Sequence, residues 1–155
     1  LDDLVVLIND LESKSRKASL RISVNPFIPK AHTPFQWTGF NLEDIKSKLR
    51  YLKKHVKNRQ LKVSSPRKAF IQYILSMGDS NLGNMIEKSS LGKVPLNEWK
   101  KIAPHWDLES PLPWREVDVG INDEYLKNEY GKALRGDLTP WCEIFGCNRC
   151  GSCGK

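Results

Sequence analysis

Four thiols crowd the end of the chain. Cys142, Cys147, Cys150 and Cys153 are the chain's only cysteines, and they are spaced C-x4-C-x2-C-x2-C in "CEIFGCNRCGSCG". Thiolate is a soft ligand, suited to iron–sulfur clusters and zinc rather than to magnesium or calcium. Structural zinc sites usually split their ligands into two pairs with a long loop between them. Here three cysteines recur at every third residue, with Gly146, Gly151 and Gly154 around them. One short loop of that kind can wrap several corners of a cluster, and small residues let backbone amides approach the sulfurs. The spacing therefore points first to an iron–sulfur cluster, with zinc and disulfides as the alternatives. Asp2 and Asp3 stand where an export signal would be basic, which predicts no signal peptide. A chain kept in reducing surroundings does not rely on disulfides.

A second group of polar residues is carried by a strand. In "ASLRISVN", residues 18–25, Leu20, Ile22 and Val24 point one way and Arg21, Ser23 and Asn25 the other. This is an edge strand of an open sheet, or a barrel strand with its polar side facing a working lumen. The stretch that follows, "NPFIPKAHTPFQW" at 25–37, holds three prolines and three aromatics. Proline restricts the backbone on both sides of itself, which predicts an extended, stiff segment. His32 could serve a ligand as acid, base or donor, although a loop imidazole bonded to backbone is the plainer reading. Phe27, Phe35 and Trp37 read as core plugs. His55, beside Lys54 on a basic helix, reads as solvated.

Charge is concentrated in one place. Residues 41–70 hold ten Lys/Arg and two acids, while the whole chain carries a formal +7. Such a patch can be a solvated helix face or a contact for phosphate. The solvated face is the simpler reading, because only Tyr51 interleaves with the cations and a base-stacking platform wants more aromatics. No glycine-rich phosphate loop, nucleophile elbow or paired-carboxylate signature is present. The longest apolar run, "LVVLI" at 4–8, is far too short to cross a bilayer.

These groups need elements to hold them. Leu1, Leu4, Val5, Ile8 and Leu11 follow the helical period over residues 1–15. Asn41 is a good N-cap for a helix over 42–57, buried through Leu42, Ile45, Leu49, Leu52 and Val56, with Lys46, Arg50, Lys53 and Lys57 outside. "LKV" at 61–63 predicts a short strand. Helix, strand, loop, helix, strand is the rhythm of a βα-repeat protein. From Ser65 the rhythm becomes helical. One helix is stopped by Gly78 and two short ones follow. "APHWDLESPLPWREVDVG" is then an irregular connector, and a last helix runs between Asn122 and Gly136.

With these residues in view, three segments resemble one family. "RISVNPFIPKAHTPFQW" resembles the last barrel strand and following loop of cobalamin-type radical S-adenosylmethionine (SAM) proteins, the Fe–S oxidoreductases. "SSPRKAFIQYILSMGD" is similar to the helix after their barrel, and "YLKNEYGKALRGDLTPWC" with the cysteine tail to their C-terminal end. The resemblance implies an α/β fold: the C-terminal fragment of a partial, TIM-like (βα)6 barrel. Its last βα units would be residues 1–63, a mainly helical extension 64–136, and a four-cysteine metal-binding tail 137–155. It also implies that the full-length protein carries SAM, a 4Fe–4S cluster and, in many members, cobalamin. Reductive cleavage of SAM would there yield a radical that abstracts hydrogen from a substrate.

Two departures limit the transfer of roles. The family's Cx3Cx2C cluster loop is absent from this chain, and so are the earlier barrel strands. The chain then reads as part of a longer cytoplasmic protein, inactive alone, and its first partner would be the rest of its own chain. Ser23 and Asn25 are the positions that the resemblance places nearest SAM or substrate, and no catalytic residue is assigned. The runner-up reading is a nucleic-acid-binding module that uses the basic helix 42–57 for RNA and a four-cysteine zinc knuckle.

Overall fold

The computed structural model describes residues 1–15, 18–57, 61–142, 147 and 149–153. Helix α1 spans Asp2–Lys14, with Asp2 and Asp3 in its first turn and Lys14 in its last, which complements the helix dipole at both ends. Strand β1 is Ile22–Val24, helix α2 is Leu42–His55 and strand β2 is Leu61–Val63. The two strands pair in parallel, with Ile22 opposite Leu61, Ser23 opposite Lys62 and Val24 opposite Val63. Parallel neighbours require a crossover, and α2 supplies it. Among the described residues the sheet has these two strands.

Alternation decides which side of the sheet is covered. Ile8 from α1 and Leu49, Leu52 and Val56 from the α2 segment form a buried cluster, against which Ile22, Val24, Leu61 and Val63 pack. Each buried aliphatic side chain contributes roughly 1.5–3 kcal/mol relative to exposure. Ser23 and Lys62, one residue out of phase, are exposed. The α2 start is fixed by the Asn41 side chain, which accepts from the amides of Glu43 at 3.1 Å and Asp44 at 3.0 Å. Two of the helix's orphan donors are thereby satisfied.

Helix α3 is Pro66–Met77, α4 is Leu82–Leu91, α5 is Leu96–Lys101 and α6 is Asp123–Arg135. The chain divides into two packed units, Leu1–Ile28 with Phe40–Gln72, and Pro29–Gly39 with Tyr73–Lys155. In the second, Trp37, Leu112 and Leu126 are buried together with half-buried Trp106, Trp114, Ile121, Tyr125 and Tyr130. The connector is therefore part of a core. Trp106 Nε1 donates to the Met77 carbonyl at 2.7 Å, and the Tyr73 hydroxyl to the Pro104 carbonyl at 2.7 Å. A buried indole or phenol needs such a partner.

The segment 25–37 departs from the extended, stiff reading. Its backbone turns at Ala31–His32 and forms a short 3-10 helix, Pro34–Trp37. His32 lies at φ +55°, a left-handed conformation that costs a non-glycine residue about 1–3 kcal/mol. The cause is a bond that the prolines do not announce: the His32 amide donates to Gln36 Oε1 at 3.1 Å. Phe27 is no core plug, being 62% exposed, whereas Trp37 is buried. His55 is half-buried, stacked on Tyr51 at 4.0 Å between ring centroids, and its Nδ1–H donates to the Tyr51 carbonyl at 2.9 Å. The solvated reading of that imidazole is thus corrected. Among the described residues no helix is long and apolar enough to cross a membrane.

Candidate functional site

The cysteine tail is tied to both ends of α6. At the far end, Glu129 accepts from Lys132 Nζ at 2.7 Å and from the Thr139 hydroxyl, three residues before Cys142. The Lys132 ammonium first, and the Thr139 hydroxyl second, hold the Glu129 carboxyl below its ordinary value. At the near end, the Asn122 amide donates to the Cys150 carbonyl at 2.7 Å. Gly151 follows at φ +91°, where a Cβ would stand 2.8 Å from the Gly120 carbonyl oxygen. Only glycine lets the tail pass that close.

The four thiols are free of one another. The Arg149 amide donates to Cys147 Sγ at 3.2 Å. Burial first, then the charges of Glu129, Cys150 and Cys142, pushes the Tyr125 phenol up. Among the described residues no three His, Cys, Asp or Glu side chains converge as a metal-holding group. Residues 143–146, which separate Cys142 from Cys147, and Asn148, Gly154 and Lys155 lie outside the described residues.

In the first unit, Ser23 is exposed on the side of β1 away from the core, and Arg21 and Asn25 are exposed on either side of the strand. Asn25 Oδ1 accepts from the Ser64 hydroxyl, and the Ser64 amide donates to the Val24 carbonyl at 3.0 Å. The ends of β1 and β2 are thereby locked in register with Asn25 at the carboxyl edge. That edge is where open α/β sheets and barrels present ligand-binding groups.

His32 belongs to the second unit, where it borders a cavity of about 190 Å³ with Arg115, Asp118 and Asp123. Arg115 Nε is 3.0 Å from Asp123 Oδ2. The residue that orders this corner is Gln36, which sequence reasoning passed over. It is 1% exposed, and its Oε1 also accepts from Trp114 Nε1 at 2.7 Å. An amide flanked by two aromatics in "PFQW" was the available signal.

The basic residues of α2 keep to its outer side. Lys46 and Lys48 are paired with Glu43 at 3.0 Å and Asp44 at 2.7 Å, one turn earlier. Among the described residues no carboxylate lies in ion-pair range of Arg50 or Lys53. Lys46, Leu49, Arg50, Lys53, Val63 and Pro66 enclose a cavity of about 160 Å³. Lys57 falls beyond the helix end, its amide donating to Asn9 Oδ1 at 3.0 Å.

No family profile matches this chain, and no solved structure matches it. An uncharacterized protein of Methanocaldococcus jannaschii is 34% identical over 91 residues, which cover 57% of this chain and 20% of that relative. The chain thus spans about a fifth of the length of the curated relative it matches.

Proposed function

We propose that this chain is the C-terminal part of a cytoplasmic radical SAM Fe–S oxidoreductase. The observation that carries the reading is the parallel β1–α2–β2 unit, helix-covered on one face, with Ser23 and Asn25 polar and exposed on β1 and at its carboxyl edge. Terminal units of a (βα)6 barrel would look this way, and the family's working groups sit at that edge. In this reading Ser23 and Asn25 approach SAM or substrate. Reductive cleavage of SAM needs the Cx3Cx2C loop of the remaining chain, so no step of the radical chemistry is assigned to residues here. Cobalamin, where present, would belong to that remaining chain as well.

The tail suits a metal centre by its donor set: four thiols outside any disulfide, with Cys147 accepting a backbone N–H. Cys142, Cys147, Cys150 and Cys153 would hold an auxiliary iron–sulfur cluster, which supplies electron transfer or substrate ligation when bound. Zinc is the other occupant that the thiols favour.

Two experiments test the reading. A Cx3Cx2C motif in the reading frame upstream of Leu1 is expected, and its absence would remove the radical SAM assignment. Anaerobic purification followed by iron, sulfide and zinc analysis addresses the tail. Brown protein with iron and sulfide that is lost in Cys147→Ser and Cys150→Ser is expected. Colourless, zinc-loaded protein that takes up no iron on reconstitution would defeat the cluster.

A further inference from the structure

We infer that the outer face of α2 is a nucleic-acid phosphate site, in which Lys46, Arg50 and Lys53 neutralise successive phosphates of one strand. These residues stand at i, i+4 and i+7, on one side of the helix. They span about 10 Å along its axis. All three line the cavity of about 160 Å³, whose other walls are apolar Leu49, Val63 and Pro66 and which no carboxylate lines. Lys46 shares its ammonium with Glu43, at 3.0 Å. Arg50 and Lys53 are exposed and, among the described residues, without a paired acid. Uncompensated like charges in a row repel one another, and a linear polyanion relieves that repulsion by releasing its own counterions.

A membrane surface is the weaker fit. Helices that lie on lipid insert an apolar face, whereas α2 has committed Leu42, Leu49 and Leu52 to burial, and none of the exposed large hydrophobics lies on it. The face also lacks a stacking platform. The Tyr51 ring is stacked on His55 and its hydroxyl donates to Asp2. Contact through cations alone reads the phosphate backbone and not the bases. Binding is therefore sequence-blind and does not depend on what the tail holds.

Fluorescence anisotropy of the 155-residue chain with a labelled, mixed-sequence single-stranded RNA tests this. Binding should weaken with salt along a log–log slope of about −2, as for three phosphates on a single strand. Homopolymers of equal length should bind within about threefold of one another. Arg50→Gln with Lys53→Gln should lose at least tenfold in affinity and flatten the slope by about one or more. Lys88→Gln with Lys93→Gln, an equal change of charge in the second unit, should leave both unchanged. Circular dichroism of each variant confirms that the helices are intact. No RNA binding at low salt would overturn the inference, as would equal loss in both double variants. Preferential binding to phosphatidylserine vesicles or to poly-glutamate would overturn it in favour of those partners.

Discussion

Gln36 carries an unusual share of the second unit. Its Oε1 takes the His32 amide and the Trp114 indole at once, while its Nε2 and the neighbouring Trp37 Nε1 are buried without a partner among the described residues. Truncating it leaves two half-buried donors without their acceptor, and a buried donor left unpaired costs about 1–3 kcal/mol. Gln36→Ala should therefore lower unfolding free energy by about 2 kcal/mol or more, read as a fall in urea midpoint. His32→Gly should do the opposite, stabilising by up to about 1 kcal/mol, because glycine accepts a positive φ without strain. The identity of Gln36 was open to inspection, but its partner Trp114 lies 78 residues away. No local propensity encodes such a pairing, and the loop's turn at His32 was misread as extended for that reason.

The helix ends, by contrast, were legible because they are local chemistry. Asn41 and Asn122 cap α2 and α6 through their own side chains, and Gly136 closes α6 at φ +76°. Asn41→Ala should cost about 1 kcal/mol through lost amide partners. Gly136→Ala should cost a similar amount, about 1 kcal/mol, through a left-handed Cβ. The apolar side of β1 was legible too, since period two fixes it, and β2 was read at its observed bounds, Leu61–Val63, but β1, Ile22–Val24, is shorter than its alternating pattern. The link from α6 to the tail adds a pH dependence. Glu129 is held below its ordinary value by Lys132 and then Thr139. A carboxyl lowered in the folded state stabilises fully above its unfolded value, and that stability is lost as pH falls through the folded one. The stability gap between the wild type and Glu129→Gln should thus be widest near neutrality and close in acid. Urea midpoints collected across pH measure it.

At the scale of the whole chain, the two packed clusters and the tail are built from different residues. Neither core contains a cysteine; Ile8, Leu49, Leu52 and Val56 serve one, and Trp37, Leu112 and Leu126 the other. The helices should therefore not depend on metal, unlike small domains whose folding is driven by it. Adding a chelator, or replacing all four cysteines by serine, should leave the far-ultraviolet helical signal and the main thermal transition nearly unchanged. Loss of helix on chelation would mean that the tail organises more than itself. The proposed family resemblance rests on segments that contribute to these cores, through Ile22, Val24, Trp37 and Leu126. The matched stretch covers 20% of the uncharacterized relative. What the sequence could not disclose is how the tail meets α6, because that depends on Gly120, Asn122 and Gly151 approaching through backbone atoms alone.

Trp141 adds an optical consequence. Trp37 and Trp99 are buried, Trp106 and Trp114 are half-buried, and Trp141 is 91% exposed, one residue before Cys142. Its emission should be the reddest of the five and the first to respond to a small quencher. An iron–sulfur chromophore a few residues away would absorb that emission and dim it, whereas zinc, with a filled d shell, would leave it bright. The chain thus carries its own lamp beside the thiols, and a single fluorescence titration distinguishes the two metals without a label.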